Sequence, residues 1–327
     1  MPPALVLGIV GLALAACTST APVPAPASAP VAMPRPLPSV SPRPAKRNAL
    51  DAKLVEYYAR EQEMLVSQGL LRRDGGGPDT RFDAETLADS FVSIALFDEY
   101  TQGPGGRPIQ KVTQSRLGRW EGPVRLAVIF GGGVPEEVRR RDREAIAQYA
   151  GRLAFATGHP VEITDPESAN FHILVLGEEE RRAAGSRIRR LVPRVSSGAV
   201  AAATSLPTDI FCLALVFAEP SSYTYTSALA LVRAEHPDLM RLSCYHEEIA
   251  QGLGLANDSP AARPSIFNDD EEFALLTGHD ELLLRILYDR RLRIGMTAEE
   301  ARPIVARIAA EVHPGRTATP SAPPGPV

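Results

Sequence analysis

The segment from Ser243 to Asp258, reading SCYHEEIAQGLGLAND, constrains the fold of this chain more than any other stretch. On a helix with about 3.6 residues per turn, one face carries the polar or reactive side chains of Cys244, Glu247, Glu248 and Gln251. The opposite face is apolar and carries Tyr245, Ile249 and Leu253. Gly254 is well placed to end the helix through a left-handed cap. The pattern predicts a helix that packs on one side and presents two carboxylates and an amide on the other.

The same segment can be aligned with the helix of zinc peptidases that reads His-Glu-x-x-His, in which two histidines hold the metal and the glutamate activates water. Alignment on the shared Leu-Gly-Leu sequence places Glu248 at the general-base position and places Glu247 and Gln251 at the two histidine positions. Asn257 falls at the third-ligand position of the longer pattern. An alignment that places His246 at the first histidine of the motif fails, because an alanine stands four positions later and His246 lies on the apolar side. Both histidines are therefore missing, while the glutamate is kept.

Further motifs follow this helix along the chain. The run Cys-x-x-Glu-Glu-x-x-Gln-x-Leu-Gly-Leu-x-Asn-Asp precedes Pro-Ser-Ile-Phe-Asn-Asp, His-Asp-Glu-Leu-Leu-Leu, Leu-Tyr-Asp and Gly-Met-Thr, which begin at Pro264, His279, Leu287 and Gly295. Together they resemble the uncharacterised bacterial family called domain of unknown function 2927, over roughly the C-terminal two thirds of the chain. That family is grouped by fold with the zincin-type metallopeptidases.

The resemblance implies an α+β fold with a zincin-like domain. In such a domain a mixed sheet packs on a long helix and on the site helix, and a helical C-terminal part follows. The zinc-binding motif would be degenerate here. Because one fold can host many functions, the resemblance implies a fold more firmly than a reaction.

The start of the chain predicts export and lipid attachment. Residues 1–16 are almost wholly small and apolar and end in Leu-Ala-Ala before Cys17, which is typical of a secretory signal with a lipoprotein cleavage site. The alternative is a membrane-spanning helix, but the apolar run is shorter than the roughly 20 residues that a span needs. No Lys or Arg precedes Arg35, so the usual basic start is absent. We expect lipid on Cys17, membrane attachment and a location in the cell envelope. Thr18 after the cysteine favours the outer membrane, facing the periplasm.

Composition and apolar periodicity divide the rest of the chain. Nine prolines lie between Thr18 and Lys46, and such a segment cannot bury a core. The predicted parts are a Pro/Ala-rich tether at 17–47, an N-terminal helical extension at 48–112, the zincin-like domain at 113–312 and a disordered tail at 313–327. A net charge of −4, without interleaved basic and aromatic residues, argues against a nucleic-acid partner.

Apolar periodicity and helix-breaking residues predict the order of elements. Helices are expected at 50–70, from 83 to the glycines near 103, at 136–157, at 280–292 and at 297–312, and strands at 124–130, 161–164, 171–176, 211–217 and 227–232. The three glycines from Gly131 suggest a phosphate loop, but no lysine follows and Glu136 would repel a phosphate, so a tight turn is expected. The charged block at 178–190 is expected to be a solvated face with paired charges.

With Cys17 assigned to lipid, Cys212 and Cys244 remain as a pair in an oxidising compartment. The simplest arrangement is a disulfide that ties a strand to the start of the site helix. The alternative is that Cys244, which shares the face of Glu248, is a nucleophile or a metal ligand. A nucleophilic cysteine needs a base, and His246 lies on the other side of the helix. The disulfide is therefore favoured.

The candidate site offers few good ligands for a metal, and no cofactor is expected. Catalytic zinc is disfavoured, because Glu247, Gln251 and Asn257 offer only oxygens and amides where zinc prefers His and Cys. A hard cation such as calcium stays open, since Glu247, Asp258 and the acidic loop from Asn268 to Glu272 supply oxygens. No calcium-loop spacing is present, however, and a solvated loop is the simpler interpretation.

Two functional hypotheses follow. In the first, the domain is non-catalytic and binds or scaffolds an envelope protein or peptide through a cleft formed by Glu247, Gln251, Asn257, Asp258, Asn268 and Asp269. In the second, it is a divergent hydrolase, a peptidase or an amidase, with Glu248 as the general base. A serine hydrolase is disfavoured because no Gly-x-Ser-x-Gly sequence occurs. Glu247 and Glu248 also fit a structural role as acceptors of buried hydrogen bonds. A binding or structural role is favoured over catalysis.

Overall fold

The computed structural model of the chain describes residues 49–102, 108–219, 222–268 and 270–313. The predictions for the signal peptide, Cys17, the tether, Asp269 and residues 314–327 of the tail lie outside the described residues. The predicted start of the tail at residue 313 was wrong, because His313 is buried against Phe82. Among the described helices, none is long and apolar enough to cross a membrane.

Helices and strands both contribute to the described ranges. The helices are α1 (Ala52–Ser67), α2 (Ala84–Ala95), α3 (Glu136–Thr157), α4 (Glu178–Arg182), α5 (Gly185–Leu191), α6 (Ser197–Thr204), α7 (Asp238–Gln251), α8 (Gly278–Leu287) and α9 (Ala298–Val312). The strands are β1 (Phe97–Gln102), β2 (Pro108–Gln114), β3 (Val124–Phe130), β4 (Val161–Ile163), β5 (Phe171–Leu176), β6 (Cys212–Ala218) and β7 (Tyr225–Arg233). Helices together with a mixed sheet confirm the predicted α+β class.

Five strands form one mixed sheet in the order β4-β3-β5-β7-β6. Four of them run parallel, and β6 pairs antiparallel with β7 at one edge. The central strand β5, Phe-His-Ile-Leu-Val-Leu, is buried along its whole length, as expected for a strand covered on both faces. Ile173 and Val175 pack into the main hydrophobic core, whereas Leu174 and Leu176 pack into a second core on the other face.

The long helix α3 makes the crossover from β3 to the parallel strand β4. The predicted order of strand, helix and strand is confirmed. Its residues Ile146, Tyr149 and Leu153 are buried in the main core. The helix ends at Gly158, whose φ of 64° is the left-handed conformation that glycine adopts at little cost. The predicted bounds of 136–157 are confirmed.

The helix predicted from residue 83 onward was wrong at its C-terminal end. α2 follows the N-cap Asp83, whose side chain accepts a hydrogen bond from the Thr86 N–H, and it ends at Ala95. The next residues form β1, which pairs antiparallel with β2. The apolar helical period stops at Leu96, and Phe-Asp-Glu-Tyr-Thr-Gln then contains three residues that favour strands. α2 packs on α8 and α9, within the main core.

The charged block at 178–190 is partly internal, so the prediction of a solvated face was wrong at its start. Two short helices, α4 and α5, lie here and α6 follows them, although the sequence predicted no helix at any of these places. Arg181 and Arg233 are buried and both bind the Glu178 carboxylate, at 2.7 and 2.9 Å. Burial without these charge-assisted bonds would be costly, so the network fixes α4 against β7.

The C-terminal helices follow the predicted order with a change of bounds. α8 begins at Gly278 and ends at Leu287, short of the predicted 292. α9 opens with the predicted capping box, in which the Thr297 side chain accepts from the Glu300 N–H and the Glu300 carboxylate accepts from the Thr297 N–H. Both helices complete the main core.

The predicted disulfide joins Cys212, the first residue of β6, to Cys244 in α7. The Sγ atoms are 2.03 Å apart and the Cα atoms 5.8 Å apart. α7 begins at Asp238, earlier than the predicted segment, and directly follows β7. The bond therefore ties the edge strand of the sheet to the helix that carries the candidate site.

Candidate functional site

α7 is anchored to α3 by a buried ion pair. The Arg241 guanidinium donates from Nε to Asp142 Oδ2 at 2.7 Å and from Nη2 to Asp142 Oδ1 at 3.2 Å. The Tyr245 hydroxyl also donates to Asp142 Oδ2, at 2.6 Å. Burial and the Asp142 charge both raise the pKa of the Tyr245 hydroxyl, which therefore stays protonated. Two consecutive turns of α7 thus share one acceptor on α3.

His246 is part of the packing and does not reach the candidate site. Its ring stacks on Tyr149 with centroids 4.0 Å apart, and its Nδ1 accepts a hydrogen bond from the Leu276 N–H at 3.0 Å. Burial lowers the pKa of the imidazole to about 3, so His246 is neutral at physiological pH. The prediction that His246 lies on the apolar side is confirmed.

The end of α7 passes close to the sheet, and glycine is what permits this approach. A Cβ on Gly252 would overlap the Phe171 ring of β5, while the Gly252 carbonyl accepts a hydrogen bond from Trp120 Nε1 at 2.8 Å. The helix ends at Gln251, before the predicted stop at Gly254. Gly254 has a φ of 127°, which favours glycine, and turns the chain away.

A cavity of about 290 Å³ lies along the polar face of α7. Its lining residues come from the start of β6, from α7 and from the segment that follows α7: Asp209, Ile210, Phe211, Cys212, Leu213, Ala214, Ser243, Glu247, Glu248, Gln251, Ala256, Asp258, Ile266, Asn268, Glu271 and Phe273. We call this cavity the acidic cleft. Five of its lining residues are carboxylates, and the described lining includes no Lys, Arg or His. Such a surface attracts positive charge.

Most of the predicted cleft residues come together here. Glu247, Glu248, Gln251, Asp258 and Asn268 all line the acidic cleft, and Glu248 is 3% exposed. Cys212 Sγ and one carboxylate oxygen from each of Glu247 and Glu248 lie within 4.8 Å of one another. Asp269 lies outside the described residues.

Asn257 is not among the residues that line the cleft. It is buried, and its Nδ2 donates to the Ser93 carbonyl at 2.9 Å. Its backbone N–H donates to the Ile94 carbonyl at 3.1 Å. Asn257 therefore ties the chain after α7 to the last turns of α2, instead of standing at a third-ligand position.

The described part of the second motif, from Pro264 to Asn268, is shaped by Asp280 of α8. The Asp280 carboxylate is fully buried and accepts from the Ser265 hydroxyl at 2.6 Å, the Ile266 N–H at 3.1 Å and the Thr277 N–H at 2.8 Å. These bonds hold the loop whose residues Ile266 and Asn268 form one wall of the cleft. The motif thus positions the site.

Three features of the site were missed or only partly predicted from the sequence: the position of Asp209, the division of the acidic loop, and the position of His236. Asp209 reaches the cleft from the segment before β6, where nothing in the sequence marked it as functional. Within the acidic loop, Glu271 lines the cleft, whereas Glu272 pairs with Arg72 and Arg263. The loop therefore divides between the cleft and a surface ion-pair cluster.

His236 was also missed. Its Nδ1 lies 3.7 Å from Cys244 Sγ, and its ring packs edge-on against Tyr58. Burial lowers the pKa of His236 to about 3, so the ring is neutral. A side chain that can act as a base therefore lies beside Cys244. Cys244 has no thiol to activate, however, because its sulfur forms the disulfide.

The donor set of the oxidised cleft does not fit catalytic zinc. A disulfide sulfur is not a thiolate, so Cys212 offers no anionic sulfur ligand. Glu247 and Glu248 supply oxygens, and His246 is turned to the core. Zinc in proteins is held mainly by His and Cys, so the described residues of the oxidised cleft lack the usual ligands.

Comparison with known proteins places the chain in a family. The sequence pattern of the family described as "Protein of unknown function (DUF2927)" matches residues 84–307, about two thirds of the chain. The chain belongs to this family. No curated protein and no solved structure matches it. The match of this DUF2927 protein begins at α2 and ends within α9, so it includes the whole five-stranded sheet and the acidic cleft.

Because His246 is buried in α7, the effect of the substitution His246→Gln on protein stability should depend on pH. An unfolded histidine binds a proton below a pH of about 6.5, whereas folded His246 stays neutral down to about pH 3. The unfolded state then binds more protons, so the histidine's contribution to the free energy of unfolding falls as pH falls through this window. Glutamine does not titrate, so the variant lacks this pH dependence. The difference in free energy of unfolding between wild type and variant, measured by urea unfolding, should therefore decrease by about 2 kcal/mol from pH 7.5 to pH 5. A gap that is constant with pH would contradict the buried, neutral imidazole.

Proposed function

We propose that this DUF2927 protein is a lipid-anchored binding protein of the bacterial cell envelope, whose acidic cleft holds a positively charged, extended segment of another envelope protein. The observation that carries the proposal is the lining of the cleft. Carboxylates converge there from three parts of the chain, and no basic side chain occurs among the described lining residues. Long-range attraction and short ion pairs would then select a Lys- or Arg-bearing partner.

The arrangement of the sheet supports the zincin-like fold that the family resemblance implies. The long helix α3 connects the first two strands of the sheet, and the site helix α7 directly follows its last strand in the chain. α7 carries the degenerate motif on the face that lines the cleft. We therefore propose that the domain has a zincin-like fold.

The edge strand β6 supports the choice of an extended partner. β6 ends the sheet order, and its first three residues, from Cys212 to Ala214, line the cleft. An edge strand offers backbone N–H and C=O groups to a further strand. A bound segment along β6 would place its side chains within reach of Glu247 and Glu248.

The donor set of the cleft supports a non-catalytic role. Binding needs only the shape and charge that the cleft provides, whereas hydrolysis by a zincin mechanism needs a bound zinc ion to polarise the substrate. Among its described residues, the oxidised cleft offers no histidine or thiolate ligand that would hold this metal.

The cleft charge predicts selective binding of cationic peptides. A fluorescent peptide of alternating Lys and Thr should bind the full chain, and a peptide of alternating Glu and Thr should not. Replacing one carboxylate that pairs with the ligand removes a favourable charge interaction, so Glu247→Gln should weaken the Lys peptide about tenfold, or about 1.4 kcal/mol. Fluorescence anisotropy measures both affinities.

The matched control is Glu299→Gln, which removes the same charge from an exposed position on α9. Its effect should stay within about twofold, because distant exposed charges are screened by salt. Equal binding of the two peptides, or equal loss in the two variants, would contradict a cleft that selects positive charge.

The second candidate function is a hydrolase that uses Glu248 as general base on water. The observation that favours it is the near-complete burial of Glu248 in the wall of the cleft, where a base would meet a bound substrate. Glu248→Gln keeps the shape of the side chain and removes the base. If the protein is a binding module, mass spectrometry should detect no peptide or amide cleavage by either wild type or variant. Turnover by the wild type that falls by orders of magnitude in Glu248→Gln would establish the hydrolase instead.

The anchor is tested separately through Cys17. With Cys17 as the lipidated first residue of the mature protein, Cys17→Ser should move the protein from the outer-membrane fraction to the soluble fraction of the expressing cells. Cys244→Ser, which leaves the leader unchanged, is the matched control and should still fractionate with membranes. Membrane association that survives Cys17→Ser would contradict lipid anchoring at this residue.

A further inference from the structure

The disulfide lies in the wall of the acidic cleft, next to two of its carboxylates. Cys212 lines the cleft, whereas Cys244 is 2% exposed. The three atoms Cys212 Sγ, one Glu247 oxygen and one Glu248 oxygen all lie within 4.8 Å of one another. One sulfur and two oxygens therefore lie close together. The sulfur can act as a metal ligand only when the disulfide is reduced.

The three atoms, which lie within 4.8 Å of one another, need only move slightly closer to reach the spacing around a bound zinc ion. Zn–S bonds of about 2.3 Å and Zn–O bonds of about 2.0–2.2 Å, at tetrahedral angles, give ligand atoms about 3.3–3.8 Å apart. Small side-chain rotations would bring the three atoms to this spacing, and water would complete four ligands. A thiolate is the ligand that makes such a set selective for zinc over hard cations.

We infer that reduction of the Cys212–Cys244 disulfide converts this end of the acidic cleft into a zinc-binding site formed by Cys212, Glu247 and Glu248. A dithiol reductant supplies two electrons and two protons, the S–S bond breaks, and two protein thiols form while the reductant becomes a disulfide. Zinc then binds the Cys212 sulfur, and the thiol proton leaves to solvent.

Charge couples zinc binding to the redox state. A Cys212 thiolate beside the Glu247 and Glu248 carboxyl groups would add negative charge to an acidic site, at an electrostatic penalty. Zinc removes that penalty, and by linkage any ligand that binds only the reduced state favours reduction. The reduced chain is thus a zinc site and the oxidised chain is not.

Cys244, the other cysteine of the disulfide, is not needed as a zinc ligand. Its sulfur lies 3.7 Å from His236 Nδ1, in a buried pocket with Tyr58 and Phe211 around the imidazole. A rival zinc site would use Cys244 and His236. The two sites differ in which cysteine they require.

A matched pair of variants separates these sites. The full chain carries Cys17→Ala in every sample, so that Cys212 and Cys244 are the only cysteines. Cys244→Ser and Cys212→Ser both abolish the disulfide, but only the first keeps the proposed ligand, and it keeps it without any reductant. Zinc affinity is measured by competition with a chromophoric chelator.

Cys244→Ser should bind one zinc ion at least tenfold more tightly than both the oxidised parent and Cys212→Ser. Adding Glu247→Gln to Cys244→Ser should weaken zinc binding tenfold or more. Three results would overturn the inference: equal affinity of the two cysteine variants, tighter binding by Cys212→Ser, and binding by the oxidised parent that matches Cys244→Ser. The last would mean that the carboxylates alone hold the ion.

A cobalt experiment on the parent chain keeps the test valid if the variants fail to fold. Cobalt(II) bound to a thiolate gives a charge-transfer band in the near ultraviolet. The band should appear when the parent is reduced with a phosphine, and it should vanish on reoxidation. A reduced, folded chain without this band would contradict the site. Peptide binding by the oxidised chain does not depend on this result, so the two proposals fail separately.

Discussion

The buried pair between Asp142 of α3 and Arg241 of α7 is the interaction on which the site depends. It fixes α7 laterally, while the hydrogen bond from Tyr245 extends the contact along the helix. Loss of Arg241 would remove the cationic partner of the buried Asp142 carboxylate, which costs about 3–5 kcal/mol. The arrangement therefore has one favoured position for α7, and that position places Glu247 and Glu248 in the wall of the acidic cleft.

The rest of the cleft follows from the position of α7. The disulfide brings the start of β6 against the helix, and Asp280 holds the loop that carries Asn268 on the other side. Each wall adds acidic residues, and no Lys, Arg or His occurs among the described lining residues. Under the proposed function, this concentration of acidic side chains serves to bind a cationic ligand.

The sequence predicted the parts of this site that depend on local pattern. The amphipathic character of α7, the length of α3 and the capping box of α9 follow from the spacing of neighbouring residues, and the disulfide from the number of cysteines and the inferred compartment. What it could not predict depends on contacts between distant residues: the pairing of Asp142 with Arg241, the approach of Asp209 to the cleft, the position of His236 beside Cys244 and the turn of Asn257 toward α2. The strand after α2 was missed because its register depends on a partner strand.

The central claim is that the acidic cleft on α7 is where this protein meets its partner. NMR chemical-shift mapping of the isotope-labelled, oxidised chain with a lysine-rich peptide tests that claim most directly. The account predicts that the largest shifts fall on the backbone amides of Cys212, Glu247, Glu248 and Asn268, while Glu299 on α9 is unchanged. Saturable peptide binding with its largest shifts outside the cleft lining would contradict it.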